Sequence, residues 1–213
     1  MSSSAPSLTT GTVISLASRP KKAWGHGDAR EIASGKLLPD GSLGAVAQGS
    51  ASAASGEGAG EVVDWRLSVA SIESSGDFTP YPGFERTLTV IIGELLELAV
   101  DGVKHPVELY RPLKFSGDAA TAAALPTGDV LALNLFTRTG AARGNVRIVE
   151  LSKKIEQHLF GSQFGVLLQG NATMVFGDSE TKLDVRDTIV GGEDDSPRIT
   201  GRGFMAVVSL DLP

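Results

Sequence analysis

With 213 residues, 41% of them hydrophobic and 21% charged, the chain is long enough for one large domain or two small, closely packed ones, and too apolar to be disordered. Its net charge of −6, with no cluster of Lys and Arg, argues against a surface that binds nucleic acid. The absence of cysteine removes disulfides, thiolate metal sites and a cysteine nucleophile, and suits the reducing cytoplasm in which the protein is expected to reside.

Residues 1–10 read as a frayed Ser/Ala/Thr-rich tail, without the basic start and apolar run of a signal peptide. No stretch approaches the roughly 20 apolar residues of a membrane span, so no membrane partner is expected. Residues 11–16 form a short strand candidate. Residues 21–32 carry a glycine-punctuated turn entering a strand. Residues 40–60 are almost entirely Gly, Ala and Ser and read as a mobile insertion near 41–60, because such a composition buries too little surface to offset its ordering entropy.

From residue 65 onward strand signals dominate. Residues 65–72 alternate bulky apolar with small or polar side chains. Residues 76–83 hold two prolines and two glycines and read as a turn. Strands are predicted over 86–92 and 95–100, then a hairpin turn at Asp101-Gly102 and a return strand over 107–110. Residues 119–125 suit a strand or a helical turn, and 129–137 and 146–151 are strands. The one helix candidate, weak, is 152–160. Short strands follow over 164–168, 172–176, 181–185, 187–190, 198–199 and 204–210, with turns at Gly170-Asn171 and Gly177-Asp178. Many short strands separated by turn residues predict an all-β sandwich or jelly-roll barrel with little helix, in two halves of similar plan.

Four segments resemble the HutD/Ves family. They are Trp24 to Ile32, with Gly27 and Arg30-Glu31-Ile32; Trp65-Arg66-Leu67-Ser68-Val69-Ala70; Gly76-Asp77-Phe78-Thr79-Pro80-Tyr81-Pro82-Gly83-Phe84-Glu85-Arg86-Thr87-Leu88-Thr89-Val90, ending at Gly93; and Phe115-Ser116-Gly117-Asp118 followed by Asn134-Leu135-Phe136-Thr137-Arg138. The resemblance implies a two-lobed, cupin-like (bicupin) jelly-roll β-barrel of the RmlC-like kind. An N-terminal barrel would span 11–140 and a C-terminal barrel 141–213, closely packed and sharing strands in one version. It also implies a link to histidine utilisation through binding of a pathway metabolite. The first segment departs from the family pattern: Gly25-His26-Gly27 is shorter than usual, and Ala29 stands where Thr is usual, which removes one hydroxyl from the implied pocket.

Metal-dependent cupins bind through a His-x-His, a Glu and a later His. Here His26, His105 and His158 are scattered, and the segment between Gly76 and Gly93 has no histidine. In a loose count back from Gly93, Arg86 falls about where the metal-binding Glu would sit, and a cation there attracts an anion instead. No metal and no cofactor are therefore expected. Arg30, Arg66, Arg86 and Arg138 each lie in a family segment, and several guanidinium forks converging on one barrel mouth would hold a small dianion. The alternative for each is a strand-end residue or a pair with Glu31, Glu85 or Asp118.

Strand parity places Val130, Ala132, Asn134, Phe136 and Arg138 on one face and Leu131, Leu133 and Leu135 on the other; Arg66, Ser68 and Ala70 likewise oppose Trp65, Leu67 and Val69. The expected ligand-binding set is a subset of Arg30, Glu31, Trp65, Arg66, Ser68, Arg86, Asn134 and Arg138. No catalytic set is expected, since neither a Gly-x-Ser-x-Gly elbow nor a phosphate loop is present. The expected function is binding of a small organic carboxylate of the urocanate or formylglutamate type in a regulatory or buffering role. The alternative is a metal-independent enzyme on a similar acid, with Glu31 or His26 as base. Beyond the small anion, homodimerisation is the remaining partner expectation.

Overall fold

The structure, a computed structural model, describes residues 8–45 and 63–213. Among these, apart from one 3-10 turn at Leu16–Ser18, regular structure is all strand, arranged in three sheets. The central sheet runs Leu113–Ser116, Phe84–Ile92, Val130–Arg138, Trp65–Ile72, Gly27–Leu37, Lys22–Trp24, with Leu43–Ala45 also paired to Gly27–Leu37. A smaller front sheet runs Gly76–Asp77, Thr121–Ala124, Leu95–Val100, Val103–Glu108. The rear sheet runs Val13–Ile14, Thr188–Val190, Gln163–Phe176, Arg198–Asp211, Arg143–Leu151, with Gln157–His158 and Ser179–Leu183 attached. The chain leaves the central sheet at Arg138 and enters the rear sheet at Arg143, while Val13–Ile14, at the other end of the sequence, pairs with Thr188 and Ile189 of the rear sheet.

Period-two alternation explains the layering. Leu67, Val69, Leu133 and Leu135 point from one face of the central sheet and pack on Phe164, Val166, Ala206 and Val208 of the rear sheet. Ala132, Ile72, Leu88 and Val90 point from the other face and meet Leu96, Leu98, Val107 and Ala123 of the front sheet. These two sheets enclose the interior of the N-terminal barrel. A third core, with Leu159, Leu167, Met174, Ile199 and Met205, fills the far side of the rear sheet.

Several elements differ from the sequence reading. The turn expected at Gly170-Asn171 is instead part of the 14-residue strand Gln163–Phe176, and 198–199 and 204–210 merge into Arg198–Asp211. Gly170 and Gly203 face each other across these strands with φ of +94° and +124°, and a Cβ on either would come within 1.9 Å of a carbonyl oxygen opposite. Glycine here permits close strand approach and a bend rather than a reversal. The helix candidate over 152–160 is not helical: Ser152 Oγ accepts from the backbone N–H groups of Lys154 and Ile155, and Gln157–His158 joins the rear sheet. The return strand after Asp101-Gly102 starts earlier, at Val103. The insertion expected over 41–60 lies outside the described residues from 46 onward, and its first part is the strand Leu43–Ala45.

Candidate functional site

Register places the polar residues of the central sheet in two rows. Arg66, Phe136 and Arg86 lie side by side on three adjacent strands; Glu31, Ser68, Asn134 and Leu88 form the next row. All share the face that looks into the N-terminal barrel, where Ala70 and Ala132 supply small neighbours.

Arg86 is buried, with 8% of its surface exposed. Its Nε and Nη2 donate to Asn134 Oδ1 at 3.0 and 2.7 Å, and Asn134 Nδ2 donates to the Ala132 carbonyl at 3.2 Å. The guanidinium carbon stands over three phenyl rings, 4.7 Å from the centroid of Phe78, 5.1 Å from Phe136 and 5.6 Å from Phe115. Their π faces attract the cation. Among the described residues no carboxylate lies within ion-pair distance of it. Burial pushes its pKa down to about 10, the neighbouring Tyr81 acting in the opposite sense, so it remains cationic at neutral pH. A buried guanidinium whose hydrogen-bond acceptor is a neutral amide has the charge and the donors to hold an anion.

Arg66 is differently placed. Its Nε lies 3.0 Å from Glu31 Oε2, a contact of opposite charges, although the N–H is not directed along that line and so makes no hydrogen bond there. Ser34 Oγ donates to Glu31 Oε1 at 2.8 Å. Glu31 is therefore oriented and charge-matched. Arg138 closes the end of the barrel: Nε and Nη2 donate to the Val63 carbonyl at 2.9 and 2.6 Å, Asp64 Oδ1 is 3.6 Å away, and the Phe84 ring lies beneath.

Arg30 and Trp65 lie on the opposite face. Arg30 Nη1 donates to the carbonyls of Leu16, Ala17 and Arg19 at 2.9–3.1 Å and borders a cleft of about 370 Å³ in which Lys21, Arg30 and Arg186 stand among Asp28, Glu73, Asp184 and Asp187. Trp65 is fully buried against Phe164 of the rear sheet, with ring centroids 5.3 Å apart. Glu31, Arg66, Ser68, Arg86 and Asn134 are thus brought together, Arg138 stands at the rim, and Arg30 and Trp65 are separated from them by the sheet.

The three phenyl rings and Ser34 were not among the expected site residues. Phe136 shared a face with Asn134, so parity offered that signal; the β-bulge between Glu31 and Ala33 concealed Ser34. His26 lies outside the Arg86 group. Its Nδ1 is 3.1 Å from Ser74 Oγ and its Nε2 2.8 Å from the Asp77 carbonyl. No group of three or more His, Cys, Asp or Glu residues suited to a metal is found among the described residues.

A four-stranded and a seven-stranded sheet closed over one polar-lined interior, backed by a second all-β lobe, define a cupin-like barrel protein with two lobes. A cupin 2 conserved barrel domain protein from Leptotrichia buccalis shares this fold with a TM-score of 0.56 at 6% identity, over 95% of this chain and 98% of that one. The chain belongs to the HutD family, whose model matches residues 19–207. HutD from Pseudomonas fluorescens SBW25, in a formate condition, matches with a TM-score of 0.69 and 23% identity over 95% of this chain and 98% of that one, a likeness of fold. Protein Ves of Citrobacter koseri is 32% identical over 122 residues, which span 56% of this chain and 62% of Ves, less than two thirds of that relative's length. No described helix is long and apolar enough to cross a membrane.

Proposed function

We propose that the chain binds a small organic carboxylate at Arg86 and Asn134, and that it serves histidine utilisation in the cytoplasm by sensing or buffering an acid of that pathway, of the urocanate or formylglutamate type. The observation that carries this reading is the Arg86 guanidinium, buried among three phenyl rings with no carboxylate among the described residues to balance it. The link to histidine utilisation rests on membership of the HutD family. Binding is favoured over catalysis because Glu31 is engaged by Arg66 and Ser34, and His26 by Ser74 and Asp77.

Calorimetry with urocanate, formylglutamate and formate tests the proposal. A charge-assisted hydrogen bond lost from a buried site costs about 1.5–3 kcal/mol, so Arg86→Ala should weaken the bound acid roughly ten- to a hundredfold. Arg198→Ala, with its side chain near Glu156 in the rear lobe, should leave affinity unchanged. If Arg86→Ala binds the acid as the wild type does, the site is elsewhere.

A further inference from the structure

Charge inventory of the barrel interior goes one step further. On the inward faces of the central sheet, the ionisable side chains inside the barrel among the described residues are Glu31, Arg66 and Arg86. Arg66 and Glu31 cancel, and at the rim Arg138 stands beside Asp64. Lys22 and Lys36, on the same parity toward the edges of the sheet, are exposed to solvent. From the front sheet, Leu96, Leu98, Val107 and Ala123 face inward, with His105 half-buried on the edge strand beside Leu98. Tyr81 stacks on Phe136 with centroids 4.5 Å apart. Histidine aside, one positive charge is left over among the described residues, and it belongs to Arg86.

We infer that this site selects singly charged carboxylates and rejects dianions of the same size. The inference rests on the anion-site reading above and narrows it, replacing the dianion expected from four converging arginines. The first carboxylate of a ligand neutralises Arg86. A second one enters an interior where no cation remains to balance it, and an uncompensated charge in a low-dielectric site is strongly disfavoured. One feature adds to this. The phenyl rings turn their electron-rich π faces to the guanidinium, so a second carboxylate beside it meets negative quadrupoles. Of the two kinds of acid considered, the urocanate type carries one negative charge and the formylglutamate type two.

The test is calorimetry at pH 8, where histidine is uncharged, with succinamate and succinate, which match in size and differ by one charge. The expected result is succinamate binding at least tenfold more tightly than succinate. Glu31→Gln raises the interior by one positive charge, and should shift the ratio at least tenfold toward succinate. Equal or tighter binding of succinate by the wild-type protein would overturn the inference while leaving the anion site in place. Failure of both probes, and of formate, to bind would remove the anion site and the inference with it. Should Glu31→Gln fail to fold, the wild-type comparison decides alone.

Discussion

Placing an unbalanced guanidinium inside a barrel has a stability cost that can be measured. Burial lowers the Arg86 pKa from the ordinary arginine range to about 10. That fall disfavours the charged form in the folded state by about 3 kcal/mol. The sign follows from linkage. The folded protein holds this proton less tightly than the unfolded chain, so the penalty is fully present below pH 10 and is relieved only as pH rises from about 10 toward the unfolded value. At neutral pH the protein carries the whole penalty unless an anion, as proposed, balances the charge.

The double variant Arg86→Met, Asn134→Leu removes it. Methionine can still fill the space between Phe78, Phe115 and Phe136, and its sulfur–aromatic contacts of about 0.3–1.5 kcal/mol offset much of the lost cation–π attraction, about 0.5–2 kcal/mol. Replacing both hydrogen-bond partners by apolar groups of similar shape is close to neutral. The charge term wins. The double variant should be more stable than the wild type by about 1–3 kcal/mol, a rise of roughly 2–10 °C in Tm, while losing all carboxylate binding. Urea denaturation at pH 7.5 in carboxylate-free buffer, paired with calorimetry, reads both quantities. Arg86→Met alone leaves the Asn134 oxygen without its donor and should gain less. A double variant clearly less stable than the wild type would identify Arg86 as a structural anchor, and the argument from its unbalanced charge would fail.

Carboxylate affinity should be flat from pH 7 to 9 and should weaken above about pH 10, approaching tenfold per pH unit, as the Arg86 proton is lost; a profile flat to pH 11 contradicts pairing with this guanidinium. Arg30→Ala removes a donor shared by three carbonyls and should destabilise the fold by about 1–2 kcal/mol while changing carboxylate affinity by less than twofold, since Arg30 projects from the other face of the sheet. Denaturation and titration of that variant give both numbers, and a tenfold loss of affinity would place Arg30 in the site after all.

The parity of residues 65–72 and 130–138 is readable because the two strands pair with each other without a register shift, so alternate residues stay on one face of each. Parity put Arg66 and Ser68 on one face of their strand and Asn134 on one face of its own; the pairing of the strands brings the three together. Arg30 and Arg86 could not be told apart by the same means. Each is a single arginine in a strand, and what separates them is the acceptors each meets: three carbonyls from residues 16–19 in one case, a lone amide in the other. The Glu31/Ala33 bulge also breaks alternation along Gly27–Leu37 at the point where it mattered. The turn expected at Gly170 fails for a related reason. A glycine that ends a strand and one that lets two strands approach look alike in a sequence, and only their pairing across the sheet distinguishes them.

The apolar packing of the two lobes explains how one of them tolerates the charge. The far side of the rear sheet is filled by Leu159, Leu167, Met174, Ile199 and Met205, all buried. The core between the lobes is equally apolar and contains the fully buried Trp65 and Phe164. Within the N-terminal barrel itself, Leu88, Val90, Leu96, Leu98 and Ala132 are sealed from solvent. Burial of a Leu, Val or Phe side chain contributes about 1.5–3 kcal/mol, so a few of these residues outweigh the roughly 3 kcal/mol cost at Arg86. The guanidinium is tolerated because the apolar rows around it and the rear lobe hold the structure without its help. A polar group kept inside at a cost to the empty protein is recovered when its partner arrives, since an anion that neutralises Arg86 removes the penalty and stabilises the folded state by the same linkage. A cation of this kind in the rear lobe would have no such partner, and its interior is accordingly packed with Leu, Ile and Met.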